Sequence, residues 1–288
     1  MAYYNGTVAN LSGLLAALTT ACVTDGWTYA GGELTKHGCI FPISVDTYSS
    51  PYTRLRMQIK SPTTSNSSSL ASIREMSTVS ISYPAEYHIF SFDREVYCIL
   101  NIAPGEYAWL AFGCSSISVT GSGAFLAGSC GSATKTTLEY NNPMFFRSGS
   151  TNTSQISSSF FHTGFSYPLE FYPGTSNISL PLGAFGWYES TYGIGTTQPN
   201  NFSGESILTP LQIWAQFSAS NHCLVFVSDH ARYLRIDNYE DEQIITYGAD
   251  KWMIFPFMKR NSASRSNVNP YHEKSSGTFG WAIRYEGP

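Results

Sequence analysis

The sequence predicts a mainly β fold of the α+β type, with an antiparallel sheet or sandwich core, one N-terminal helix and a long, loop-rich central insertion. Three observations lead to this prediction. Apolar and aromatic runs separated by turn residues fill Tyr83–Cys114. Apolar and polar residues alternate over Thr53–Ile59, as in a strand with one buried face. Leucines recur at spacings of three and four residues in Thr7–Asp25, which is typical of a helix.

The stretch Tyr83–Cys114 carries the strongest folding signal. Asp93-Arg94 and Pro104-Gly105 interrupt it, and the second pair is typical of a tight turn because Pro presets φ and Gly tolerates positive φ. The runs that these pairs separate are Glu86–Phe92, Glu95–Ala103 and Tyr107–Cys114. Adjacent strands joined by tight turns predict a β-meander.

The helix is predicted from its apolar stripe. The stripe consists of Val8, Leu11, Leu14, Leu15, Leu18 and Cys22. Thr7 or Asn10 is a suitable N-cap, and Gly26 stands where a helix end favours a left-handed residue. A sheet of the same chain or a partner must cover the stripe, and the pattern leaves both alternatives open.

Further strands are predicted on either side of the insertion. The N-terminal ones are a hairpin through Gly31-Gly32 and strands over Cys39–Val45 and Ser77–Ser82. The C-terminal ones are Leu211–Phe217, Cys223–Ser228, Tyr233–Ile236, Gln243–Tyr247, Lys251–Phe257 and Gly280–Tyr285, and we expect them to complete the first sheet. Between the two sets, Ser115–Ser159 is rich in Gly, Ser, Thr and Asn, which predicts an irregular excursion.

These patterns divide the chain into three parts. Residues 1–114 are predicted to form a helix plus β-meander core. Residues 115–210 form a loop-rich insertion or arm with short strands, and residues 211–288 form the C-terminal strands that complete the core.

The composition indicates an unusual surface. Charged residues make up 12% of the chain and aromatic residues 15%, so the charged share is about half of that in ordinary domains. Uncharged Ser, Thr and Asn can coat the surface, and Tyr and Trp are favoured at subunit interfaces. We expect both to apply.

Several classes of protein are disfavoured. A net charge of −4 and a pI near 5.8 argue against nucleic-acid binding, which needs a basic face. No apolar run approaches the roughly 20 residues of a membrane helix. The start MAYYNGTVAN lacks the positive region of a secretory signal. Because disulfides occur mainly in secreted proteins, we predict that the cysteines are buried free thiols. The cysteines are Cys22, Cys39, Cys98, Cys114, Cys130 and Cys223.

Two groupings contain residue types that could be catalytic or bind a metal. Asp229-His230 sets an acid beside a base, but neighbours on a strand point to opposite faces and no nucleophile motif accompanies them, so a turn after the buried strand is favoured. His88, Cys98 and Cys114 fall in consecutive predicted strands, yet they lack the close-paired spacing of zinc ligands. We interpret these three as core residues.

Acidic residues offer two further alternatives. The run Asp237–Glu242 is similar to an oxygen-rich calcium loop but lacks its glycine and ligand spacing, so a solvated turn is favoured over weak cation binding. A hydrolase would need two carboxylates flanking a bond, for which Glu170 and Glu189 are isolated candidates. We therefore predict no enzyme, no catalytic residue, no cofactor and no metal.

Aromatic residues of the insertion offer a binding surface. The cluster consists of Tyr172, Phe185, Trp187, Tyr188 and Tyr192. Such rings stack on sugars, and they also pack between subunits. With Leu11, Leu15 and Leu18 of the helix, they are our candidate interface residues.

Parts of the sequence resemble a family of tailed-bacteriophage virion structural proteins. The N-terminal match covers MAYYNGTVANLSGLLAALTTACVTDGWT and YPAEYHIFSFDREVYCILNIAPGEYAWLAFG. The C-terminal match covers HARYLRIDNYEDEQIITYGADKWMIFPFMKRN and SSGTFGWAIRYEG, with the pattern residues Gly248, Trp252, Phe255, Pro256, Ser276, Gly277, Gly280, Ala282, Ile283 and Arg284. The resemblance covers about half of the chain, and roughly Ser115 to Asn221 departs from it.

The resemblance implies a structural role in a virion, in the tail, neck or baseplate, without an active site to carry over. The expected partners are further copies of the chain in a symmetric ring and neighbouring phage proteins, with no nucleic acid and no membrane. The expected location is the virion, assembled in the bacterial host cytoplasm. The alternative is a receptor-facing or carbohydrate-binding module of the same particle.

Overall fold

A computed structural model of the chain describes residues 2–60, 70–75, 80–118, 123–129, 160–161, 169–170, 206–218, 221–260, 262 and 278–287. The elements are β1 Ala2–Val8, α1 Leu11–Thr24, β2 Thr28–Ala30, β3 Glu33–Lys36, β4 Cys39–Ser49, β5 Tyr52–Gln58, β6 Leu70–Arg74, β7 Ala85–Ser91, β8 Glu95–Ala103, β9 Glu106–Cys114, β10 Ala124–Gly128, β11 Phe160–Phe161, β12 Leu169–Glu170, β13 Thr209–Ser218, β14 Asn221–Arg235, β15 Ile244–Tyr247, β16 Asp250–Pro256 and β17 Phe279–Tyr285. Within the described residues, no helix has the length and apolar character needed to cross a membrane.

The strands form three antiparallel sheets, which confirms the predicted mainly β fold with one helix. The sheet orders are β1-β7-β8-β9-β10-β11-β12, β2-β3-β4-β5-β6 and β13-β14-β17-β16-β15. The predicted meander is also confirmed, as β7, β8 and β9, with Gly105 at φ 69° in its second turn. Its nearly continuous burial places the meander at the centre of the core.

The N-terminus differs from the prediction. Residues up to Val8 form β1, which pairs with β7 from Ala2↔Ser91 to Val8↔Ala85, and the helix begins only at Leu11. Asn10 caps it, because its Oδ1 accepts the Gly13 N–H at 2.8 Å. The helical pattern that includes Val8 predicts the helix too long, since the pairing of β1 with a strand remote in sequence is invisible in a local pattern.

The apolar stripe of α1 packs on sheets of its own chain. Leu14 and Leu18 are fully buried, and the helix contacts β1, β2, β4, β5 and β7. Gly26 has φ 84°, as expected for the residue that follows the helix end. The structure thus decides between the two alternatives for this stripe: the cover is the chain's own sheets.

The start of the insertion is more regular than predicted. Residues 124–128, expected to be irregular, form β10, whose five residues are all buried and which pairs with β9. Its Gly128 is tightly enclosed, since a Cβ there would lie 2.7 Å from Leu110 Cδ2. Small residues here reflect close packing rather than a loop, and composition alone does not separate the two.

The predicted strand over Ser77–Ser82 is wrong for residues 80–82, which are not in a strand, while 76–79 lie outside the described residues.

The C-terminal strands form a sheet of their own rather than extending the first one. This sheet packs on the meander. The ring centroids of Trp109 and Trp281 are 4.7 Å apart, and those of Tyr97 and Trp281 are 5.7 Å apart. Trp109 Nε1 also donates to the Phe257 carbonyl at 2.8 Å. Buried residues of both sheets belong to one apolar cluster, so the C-terminal strands do contribute to the main core.

One ion pair supports the β4–β5 hairpin and makes its stability depend on pH. Asp46 accepts hydrogen bonds from Arg54 Nε at 2.7 Å and from Arg54 Nη2 at 3.1 Å, and Arg56 Nε lies 3.2 Å away. The hydrogen bond from Arg54 lowers the pKa of Asp46. A carboxylate whose pKa falls on folding stabilises the protein above its unfolded pKa of about 4, and this contribution is lost as the pH falls through the lower folded value.

We therefore expect Asp46→Asn to lower the free energy of unfolding by about 2 kcal/mol at pH 7, because a charge-assisted pair with a buried guanidinium is lost. The difference from the wild-type chain should shrink below about pH 4. Urea denaturation at pH 7 and pH 3 measures both values. A constant difference across this range would contradict the assignment.

Candidate functional site

A buried carboxylate joins the meander to the C-terminal sheet. Glu95, only 2% exposed, stands at the start of β8. Its Oε1 accepts the backbone N–H of Asp229 at 2.8 Å, and its Oε2 accepts the N–H of His230 at 3.1 Å. Tyr97 Oη donates to Oε2 at 2.9 Å, and burial keeps the pKa of Tyr97 well above its usual value, so this hydroxyl stays a donor. The carboxylate thus holds the two sheets at a fixed position.

Asp229 and His230 form part of this junction. His230 Nδ1 lies 3.2 Å from Glu95 Oε2, and its ring stacks on Phe92 with centroids 3.9 Å apart. Adjacent Ser228 donates to the Ala231 carbonyl at 2.5 Å. The predicted turn is wrong, because β14 continues through these residues and accommodates them as a bulge opposite β13.

A second polar cluster lies where β7 faces the turn before β15. Ligand-type atoms of Glu86, His88 and Glu242 all lie within 4.8 Å of one another. His88 Nδ1 is 2.8 Å from Tyr3 Oη, and His88 Nε2 is 3.6 Å from Glu242 Oε1. Tyr107 Oη donates to the same Glu242 oxygen at 2.8 Å. Contact with His88 lowers the pKa of Glu242, so a carboxylate anion is favoured here.

The acidic run Asp237–Glu242 is more than a solvated turn. Asp237 accepts from Arg235 Nε at 2.9 Å, and Asp241 accepts from Arg260 at 2.5 Å. Glu242 has φ 63° and turns its side chain towards the meander. The turn is therefore held by ion pairs within the C-terminal part and contacts the first sheet through Glu242. The sequence signal that identified the run was its acidity, but the position of His88 beside it depends on the tertiary fold.

The structure does not bring His88, Cys98 and Cys114 together as a metal site in the described part of the chain, in agreement with their interpretation as core residues. Cys98 pairs with Ile89 in the sheet, and Cys114 pairs with Ala124 at the far side of the meander. Both cysteines are buried, and so is His88, as predicted for core residues. Cys22 and Cys39 are likewise buried free thiols, and burial raises the pKa of Cys98 to about 12. Cys130 and the side chain of Cys223 fall outside the described residues.

The predicted interface residues divide into two groups. Leu11 and Leu18 are buried inside the chain at 2% and 0% exposure, so they are not available to a partner, and Leu15 is half-buried against the same core. The aromatic members lie outside the described residues, and so does Glu189. They are Tyr172, Phe185, Trp187, Tyr188 and Tyr192. Glu170 ends the short strand β12.

β15 is an exposed edge strand, a property that the sequence pattern does not reveal. β15 stands at the end of its sheet and pairs with β16 through Ile244↔Met253 to Tyr247↔Asp250. Its residues are uncharged, and Ile244 and Tyr247 are 44% and 61% exposed. An edge strand without charge, Pro or bulge is able to pair with another strand. Hence β15 is a candidate assembly surface.

A second edge lies on another sheet. β2, residues Thr28–Ala30, is the terminal strand of its sheet and is exposed throughout. Its Tyr29 is 40% exposed. The described chain thus carries two different uncharged strand edges, each with an exposed aromatic residue.

Comparison with protein-family models finds no match for this chain, and a search of curated proteins finds none either.

Proposed function

We propose that the chain is a structural component of a tailed-phage virion, in the tail, neck or baseplate, that works by forming a symmetric ring with copies of itself and by contacting neighbouring virion proteins. The observation that carries this proposal is the uncharged, exposed edge strand β15. The sequence resemblance and the low share of charged residues support the same function.

Edge strands supply the kind of contact that a ring requires. A ring forms from a heterologous interface, in which two different surfaces of one molecule meet on successive copies. β15 and β2 are two such surfaces, since they end different sheets of the same chain. Pairing would satisfy their free backbone groups and cover Tyr29, Ile244 and Tyr247.

The double substitution Ile244→Lys with Tyr247→Lys is expected to disrupt self-assembly. Burying two large apolar side chains contributes about 3 kcal/mol or more, so the dissociation constant should rise by about 100-fold or more. Light scattering coupled to size-exclusion chromatography measures the effect. Both positions are exposed in the single chain, so the folded structure should be retained, which circular dichroism checks.

A matched control is Ile207→Lys, because Ile207 is 64% exposed but precedes β13 and lies on no strand. It should assemble like the wild-type chain. A wild-type chain that stays monomeric at high concentration, or a double variant that assembles normally, contradicts the role of β15. The direct test of the virion assignment is quantitative mass spectrometry of purified particles of the phage that encodes the chain, and absence from those particles would overturn it.

A further inference from the structure

The cluster of Glu86, His88 and Glu242 has the composition of a metal site. Glu86 and His88 are two residues apart on β7, so their side chains lie on the same face of the strand. Glu242 reaches this face from the turn before β15. One imidazole nitrogen and two carboxylates converge within 4.8 Å.

His88 presents an unpartnered ring nitrogen to the two carboxylates. Its side chain is only 3% exposed, and Nε2 has no hydrogen-bond partner among the described residues. Glu242 Oε1 lies 3.6 Å from Nε2, too far for an N–H···O hydrogen bond. With bonds of about 2.0–2.1 Å, two ligand atoms of a tetrahedral zinc ion lie about 3.3 Å apart, close to the separation seen here.

The groups around the cluster fit this assignment. Tyr3 Oη is 2.8 Å from His88 Nδ1 and can accept its proton, which leaves the Nε2 lone pair facing the carboxylates. Tyr107 Oη donates to Glu242 at 2.8 Å and fixes its orientation. These are the outer contacts that orient ligands in metal sites.

We infer that Glu86, His88 and Glu242 bind one divalent transition-metal cation such as Zn²⁺, which fastens the first sheet to the turn before β15. Glu86 is exposed and gives the cation access from solvent. Imidazole is a good ligand for zinc and a poor one for Mg²⁺, so the site should prefer zinc. This inference is independent of the proposed virion role.

Titration of the tag-free, EDTA-treated chain with Zn²⁺ alone tests the inference. Calorimetry should show one ion per chain, with Mg²⁺ binding at least about tenfold more weakly. At a free Zn²⁺ concentration of 100 times Kd, the melting temperature should rise by about 5 °C or more.

Two variants locate the site, and a third is the matched control. Glu86→Gln and Glu242→Gln should each weaken zinc binding by about tenfold or more. Loss of a group that only orients a ligand already costs about tenfold in metal affinity, and loss of a ligand should cost at least as much. Glu240→Gln removes an exposed carboxylate from the same turn and should bind zinc like the wild-type chain. Absence of one-to-one binding overturns the inference. Equal binding by Glu86→Gln and by Glu240→Gln also overturns it, because Glu86 is exposed and its substitution should not impair folding.

Discussion

Glu95→Ala is expected to lower the free energy of unfolding by about 3–5 kcal/mol, as in other cases where one partner of a buried charged group is removed. The carboxylate accepts two backbone N–H groups of β14 and the Tyr97 hydroxyl. Without it the buried Tyr97 hydroxyl and the two part-buried N–H groups lose their acceptor, at about 1–3 kcal/mol for each group left unsatisfied. The contact between the meander and the C-terminal sheet should weaken most.

Urea denaturation of the purified chain measures this loss. Glu95→Gln keeps the size of the side chain and one acceptor oxygen, so its cost should be smaller, about 2 kcal/mol. Glu240→Ala, at an exposed position, is the control and should change stability by less than about 0.5 kcal/mol. Hydrogen exchange adds a local readout, because the Asp229 and His230 amides should lose protection. A loss below about 1 kcal/mol for Glu95→Ala would show that the carboxylate is not an essential contact between the sheets.

Trp109→Ala is expected to cost about 3–5 kcal/mol, the range for removal of a large aromatic side chain from a core. Trp109 is fully buried on β9 and contacts Trp281 and Phe257 of the C-terminal part. The substitution leaves a cavity between the sheets and removes the hydrogen bond from Nε1 to the Phe257 carbonyl. Both effects act at the same place, which is why the expected effect is large.

Thermal and urea denaturation of this variant should show a lower midpoint. Trp109→Phe separates the two effects, because it fills most of the space but cannot donate to Phe257, and we expect it to cost about 1–2 kcal/mol. Tyr29→Ala, at a partly exposed aromatic position on β2, should cost less than about 1 kcal/mol. If Trp109→Ala and Tyr29→Ala have similar effects, the packing between the sheets contributes little to stability.

Sequence patterns predicted the local elements well where each element carries its own signal. Glu86–Phe92, Glu95–Ala103 and Tyr107–Cys114 correspond closely to β7, β8 and β9, since turn residues separate apolar runs of strand length. β1 and β10 were missed because each is defined by pairing with the meander. Neither has a local pattern that distinguishes it from a helix start or a loop.

The candidate site was less predictable than the fold. The acidity of Asp237–Glu242 and the presence of His88 were both evident in the sequence, but nothing local relates them. Tyr107 and Glu242 form a hydrogen bond although they are 135 positions apart. Such contacts depend on how the sheets pack, and the short-range patterns of strands and helices do not encode this.

The sequence by itself determined the fold class, the single helix, the meander and the burial of Cys98 and Cys114, because apolar periodicity and turn residues act over a few positions. The tertiary structure alone decided three further features. They are the separate C-terminal sheet, the cover of the helix stripe by the chain's own sheets, and the convergence of Glu86 and His88 with Glu242. The physical reason is that each of these arises from contact between segments distant in the chain, where packing of whole sheets and not local preference selects the neighbours.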